Sequence, residues 1–220
     1  IFADNVTATA IWPNLGVPYL VAGSITVDNG QTLTINPGNT LKFAGNFQLR
    51  VDGKLVADGT DPGGHITFTS NQGTPTRGYW QYIYFYAADA GCILDYCDIS
   101  YGGSTTGNVN TYNSGTNVSV TNCTIEQSGT MGIYINISSP SISNCTIQDN
   151  NTEGIYCVDT SGDPQVSDCT IQDNGSYAIR TYGDNVKDIT GTMTITGNTN
   201  NAIWVGACLL YTSPSPRDRT

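Results

Sequence analysis

Four residues at nearly equal intervals, Tyr134, Tyr156, Arg180 and Trp204, carry the side chains in this chain best suited to hold a sugar. Aromatic rings stack on the apolar faces of sugar rings, and a guanidinium grips a carboxylate through paired hydrogen bonds. If Ile133 and Ile135 point into a core, Tyr134 points outward, and the other three stand above it at the same place. Arg180 would then compensate an acidic polysaccharide, whereas a neutral glycan would depend on the aromatics. The alternative is structural, because aromatics favour exposed strand positions and shield one another across neighbouring strands. A second aromatic run, Tyr79, Trp80, Tyr82, Tyr84 and Tyr86, either extends this surface or covers an early part of the core.

The acidic residues offer a second kind of site. Asp149 and Asp173 occupy equivalent positions, with Glu153 and Asp168 close in sequence. Stacked carboxylates repel unless a cation bridges them, and oxygen-rich turns suit Ca²⁺, so Asp149 and Asp173 are candidate calcium ligands. Solvated turn acids are the competing account. No other cofactor is expected. The cysteines lack a Cys-x-x-Cys spacing or a histidine partner, which favours core packing over metal binding. Cys92 and Cys97 are the pair for which a disulfide stays open. His65, the single histidine, reads as a turn residue rather than a base.

The elements that must position these residues are announced by a repeat. Asn122-Cys123-Thr124-Ile125 returns as Asn144-Cys145-Thr146-Ile147 and as Asp168-Cys169-Thr170-Ile171, with weaker copies at Tyr96-Cys97-Asp98-Ile99 and Thr192-Met193-Thr194-Ile195. The steps are 26, 22, 24 and 24 residues. Ten residues after Cys123, Cys145, Cys169 and Met193 come Ile133, Ile155, Ile179 and Ile203. A fixed period of this length marks units that bury their apolar faces on one another. Apolar positions alternate with polar ones, the period of a strand, and 25 Gly with 9 Pro interrupt the chain too often for long helices. The expectation is an all-β solenoid whose interior is a set of ladders: the Cys column, the Ile99–Ile195 column and the Ile133–Ile203 column. Asn150, Asn174 and Asn198, five residues after the ladder Cys or Met, predict a polar ladder at a turn, with Gly102 and Ser128 in the same place earlier.

Ile25/Val27, Leu33/Ile35 and Leu41/Phe43 continue the architecture upstream, separated by Asp28-Asn29-Gly30 and Asn36-Pro37-Gly38. Residues 102–117, rich in Gly, Ser, Thr and Asn, read as a longer loop between two coils. About seven coils of 22–26 residues follow from this reading, with 1–20 as a cap or lead-in and 21–207 as the solenoid. The run Gly30–Gly38 (GQTLTINPG), Leu41-Lys42-Phe43, Val51-Asp52-Gly53-Lys54-Leu55 and Ile66-Thr67-Phe68-Thr69-Ser70 resembles bacterial right-handed parallel β-helix proteins. The Asn-Cys-Thr-Ile coils resemble repeats of the pectate-lyase-like superfamily. That resemblance implies the right-handed β-helix fold and leaves the activity open. The clustered Asp pairs, Gly-His-Gly and Arg-Ile-Lys phrases of polygalacturonase-like enzymes have no counterpart here. Arg180 beside the Asp turns is the nearest approach to a lyase site.

Residues 208–218 leave the repeat and resemble a translated transposase adapter from sequencing libraries, so 208–220 is set apart as a non-native tail. With Ile1 at the start, the expectation is a fragment from environmental DNA. The net charge of −10 and the lack of a basic stripe argue against nucleic acid as a partner, and no apolar run approaches 18 residues, which argues against membrane insertion. Low Lys with abundant Asn, Thr, Ser, Gly and Tyr suits an extracellular or bacterial cell-surface protein, expected as a monomer. The reading is a secreted or surface β-helix scaffold that contacts polysaccharide or cell-surface glycan. Its alternatives are a fragment of a polysaccharide lyase or glycoside hydrolase, and a structural adhesin or stalk.

Overall fold

The computed structural model describes residues 5–206 apart from 61, 63 and 160, so the segment 208–220 lies outside the described residues. Short strands coil into three parallel sheets of eight strands, each strand pairing with the one three places later. The first sheet runs from Ala10–Trp12 to Ile189–Thr190, the second from Tyr19–Val21 to Thr194–Thr196 and the third from Ile25–Val27 to Asn200–Gly206. One coil therefore contributes one strand to each sheet, the arrangement of a parallel β-helix. Eight rungs are one more than the repeat suggested. The additional rung comes from the stretch set aside as a lead-in, where Ala10 pairs with Leu33 and Tyr19 with Leu41.

The repeated phrases form the registers they predict. Ile99, Ile125, Ile147, Ile171 and Ile195 pair in succession along the second sheet. Ile133, Ile155, Ile179 and Ile203 do so along the third. All but the last member of each column are fully buried, and burying one such side chain contributes roughly 1.5–3 kcal/mol. Ile195, Ile203 and Met193 are half-buried against the end of the core.

Cys97, Cys123, Cys145 and Cys169 fill the corner between the first and second sheets as buried free thiols. Their S–H groups donate to carbonyls, as Cys123 Sγ does to Thr121 O at 3.0 Å. Cys92 and Cys97 are also free, which closes the disulfide left open from sequence. Their thiols bond apart, Cys92 Sγ to Asp89 O and Cys97 Sγ to Asp95 O.

The turns differ from expectation in one respect. The left-handed backbone falls on Gln127, Asp149 and Asp173, one residue before the polar ladder, and on Asn122, Asn144 and Asp168 before each cysteine. That conformation swings the next side chain inward, which is why the ladder asparagines are buried. Asn150 Nδ2 donates to Asn174 Oδ1 at 3.0 Å, and Asn174 Nδ2 to Asn198 Oδ1 at 2.8 Å. Ser128 continues the series with a hydroxyl: its backbone N–H donates to Asn150 Oδ1 at 3.0 Å, and its Oγ accepts from the Thr130 backbone N–H at 3.2 Å. Gly102 ends it, since a Cβ there would lie 2.8 Å from Trp80 Cε2.

The stretch 102–117 is not a loop throughout. Val109–Gly115 is a strand of the third sheet, pairing Val109 with Ile133 and Thr111 with Ile135. Its alternation is hidden because Thr111 takes a core position that Phe85 and Ile135 fill on the adjoining strands.

Candidate functional site

The outward residues of the third sheet form one column. Register pairs run Thr26–Arg50–Tyr84–Asn110–Tyr134–Tyr156–Arg180–Trp204. The buried flanks Ile133/Ile135 and Ile155/Cys157 turn Tyr134 and Tyr156 outward, as the strand period requires. All four residues singled out by their spacing are thus brought together, each half-buried.

The geometry at Arg180 is specific. Its Cζ lies 4.6 Å from the Tyr156 ring centroid and 4.7 Å from that of Trp204, so the guanidinium is held between two rings. Strands about 4.8 Å apart place successive outward side chains at the separation such contacts need. Tyr134 meets Tyr156 edge to face at 5.9 Å. Glu153, which precedes the strand Ile155–Cys157, places Oε1 3.7 Å from Arg180 Nη1 and accepts from Ser176 Oγ at 3.5 Å. This carboxylate is buried, so the Arg180 charge is matched from within the protein. Arg180 Nε has no hydrogen-bond partner among the described residues.

The column continues toward the first coils, where Arg50 supplies a second cation that the spacing argument missed. Arg50 Cζ lies 4.1 Å from the Tyr86 ring centroid, and Nε donates to Asp52 Oδ1 at 2.7 Å. That hydrogen bond to Asp52 raises the guanidinium's already high pKa. Tyr86 stacks on Tyr112 at 5.4 Å and 10°. Burial raises the phenol pKa of both Tyr84 and Tyr134. The second aromatic run divides: Tyr82, Tyr84 and Tyr86 join the outer face, whereas Trp80 is fully buried and stacks on Phe43 at 4.0 Å. Tyr79 donates its hydroxyl to Ala44 O at 3.0 Å.

Between the two aromatic ends lies a concavity of about 280 Å³, bordered by Tyr82, Tyr84, Asn110, Tyr112, Tyr134 and Asn136. Asn110 and Tyr112 escaped the sequence reading because the strand Val109–Gly115 did; Asn136 lies on Ile133–Ser138, beyond the Ile133/Ile135 pair that the repeat marks. One signal was present: Val109 follows Cys97 by 12 residues, where the other coils use ten. The two extra residues sit in the corner that carries Thr106, another residue at the concavity.

The remaining candidates are placed elsewhere. Asp149 and Asp173 occupy the left-handed turn positions, which gives their presence a backbone reason. Among the described residues, no three or more His, Cys, Asp or Glu gather as a metal ion would require. His65 pairs with Asp98, Nδ1 to Oδ2 at 3.1 Å, beside the second sheet. The outward threonines 124, 146, 170 and 194 form the column their spacing predicts. The adjoining outward column is Glu126, Gln148 and Gln172, tied by amide hydrogen bonds of 2.7 and 2.9 Å.

Parallel coils of this length and register have a counterpart among known families: residues 60–216, more than half of the chain, match the one described as right handed beta helix region. The chain belongs to that family. No curated protein and no solved structure matches it. In this right-handed β-helix, the outer face of the third sheet combines stacking surface, amides and two internally paired arginines. Such a set can hold a ring-shaped polar ligand by stacking and hydrogen bonding.

Proposed function

We propose that this β-helix is a scaffold, secreted or displayed at the cell surface, that contacts glycan along the outer face of its third sheet. The observation that carries the reading is the unbroken column Tyr134–Tyr156–Arg180–Trp204, with Arg180 fixed between two rings. A preordered aromatic surface loses little side-chain freedom on binding, and sugar rings offer it apolar C–H faces. Glu153 supports binding over hydrolysis, because its carboxylate faces a guanidinium rather than a second acid at glycosidase separation. A composition low in Lys and rich in Asn, Thr, Ser, Gly and Tyr supports the extracellular reading, and the burial of every described thiol is compatible with it because it shields the sulfurs from oxidants.

The test is a glycan array on the full chain, followed by calorimetry on any hit with Tyr156→Ala and Trp204→Ala. Each variant should weaken binding by roughly 1–3 kcal/mol as a central anchor. Binding unchanged in both would refute this face as the contact site. Absence of any hit would favour a purely structural stalk. A rise in absorbance from an unsaturated uronide product would assign a lyase instead.

A further inference from the structure

We infer that the concavity around Asn110 is a subsite for a single ring of a neutral sugar, an inference that rests on the glycan-contact reading and gives it a substrate class. Three observations lead there: the charge of the face, the shape of the notch and an unpartnered amide.

The two cations of the column are each answered within the protein. Arg180 faces Glu153 at 3.7 Å, and Arg50 donates to Asp52 at 2.7 Å. Neither leaves a surplus charge for a uronate, and the chain as a whole carries −10. A polyanion would approach against that field with no local compensation.

The notch follows from the register. Asn110 is a short residue between Tyr84 and Tyr134 on the adjoining rungs. Two strand spacings separate those tyrosines, about 9–10 Å. A ring lying between two faces at ordinary contact distances of about 3.5–4 Å each needs most of that width, so one ring fits. The volume of about 280 Å³ is likewise at the small end, since pockets for drug-sized ligands start near 300 Å³.

The amide supplies the polar anchor. Asn110 is 3% exposed; its Nδ2 donates to Thr106 Oγ1 at 2.6 Å, and its Oδ1 has no partner among the described residues. Turning the amide over would let Thr106 donate to the oxygen and leave the nitrogen free instead. In either orientation one end awaits a partner, and a sugar hydroxyl, both donor and acceptor, satisfies either end. Asn136 borders the same notch and offers a second amide from the next strand.

The experiment is calorimetry on the full chain with cellohexaose, mannohexaose, xylohexaose and hexagalacturonate, at low salt and at about 0.5 M salt. At least one neutral hexasaccharide should bind with an affinity that changes less than about two-fold with salt, since no ion pair is formed. Asn110→Ala and Asn136→Ala should each weaken it about 10-fold or more. Asn136 is half-buried, so its variant keeps the test decisive if Asn110→Ala fails to fold. Neutral binding that survives both substitutions but is lost in Trp204→Ala would overturn the subsite and leave the contact face standing. Preference for hexagalacturonate would overturn the neutral class alone. No binding by any of the four would overturn both the subsite and the glycan reading.

Discussion

Replacing Asn174 by alanine should destabilise the solenoid more than any outward substitution on the same coil. The side chain spends all its hydrogen-bonding capacity inside the corner. Nδ2 donates to Ile147 O, Gln172 O and Asn198 Oδ1 at 3.1, 3.0 and 2.8 Å. Oδ1 accepts from the backbone N–H and the amide of Asn150 at 3.1 and 3.0 Å. Alanine leaves the Asn150 N–H stranded in a turn where Asn150 is fully buried, and it takes a donor from Ile147 O. An unpaired buried group costs about 1–3 kcal/mol, and each ordinary hydrogen bond lost costs about 0.5–1.5 kcal/mol. The sum for these two losses is about 1.5–4.5 kcal/mol. Thr170→Ala, outward on the preceding strand, should cost under about 1 kcal/mol. Urea melts followed by circular dichroism give the comparison. Hydrogen exchange should place the loss in the coils around Asn150 and Asn174, because each coil contacts only its neighbours. A double-mutant cycle with Asn150→Ala should show coupling of about 0.5–3 kcal/mol. Equal effects of Asn174→Ala and Thr170→Ala, or strict additivity with Asn150→Ala, would refute the ladder as a stabilising network.

Two further outcomes follow from the interior columns. Ile147→Asp should cost several kcal/mol, since an unpaired carboxylate would be buried between Ile125 and Ile171, whereas the outward Thr146→Asp should cost under about 1 kcal/mol; equal midpoints in urea would contradict the register. The buried thiols should make stability fall at alkaline pH. Burial pushes Cys157 up to about 12, and hydrogen bonds within the column raise Cys145 and Cys169. An unfolded chain ionises its thiols near pH 8.5, so above that the unfolded state has lost protons the native state keeps. Stability is therefore full below about pH 8.5 and declines toward about pH 12, and a urea midpoint that stays flat or rises across this window would count against buried neutral thiols.

The fold was legible wherever core residues repeat by type. Cys-Thr-Ile and the later Ile positions name their own columns, because an apolar side chain at each rung must meet its equivalent on the next. It was less legible where the core accepts a polar residue. Thr111 stands in line with Phe85 and Ile135, and the surrounding Asn and Ser disguise the strand as a loop. The middle of the notch was hidden for the same reason, since Asn110 and Tyr112 lie on that strand. Tyr134, Tyr156, Arg180 and Trp204 could be aligned by counting, because each lies eleven residues after its ladder Cys or Met. Their electrostatics could not. Glu153 reaches Arg180 from a corner, and Arg50 joins the column across coils of unequal length, so neither pairing leaves a periodic trace.

The two extra residues between Cys97 and Val109 are absorbed in a corner while the strands on either side keep their register. Corners of this kind separate two tasks that most proteins must solve together. The inward columns respond only to residue type at fixed rungs, while the contour of the outer face responds to how much chain each corner holds. Insertions and deletions, ordinarily the harshest mutations a sheet can suffer, thereby become the means by which such a surface diversifies. A series of variants lengthened or shortened at 102–108 would reshape the notch beside Asn110 one residue at a time on an unchanged spine.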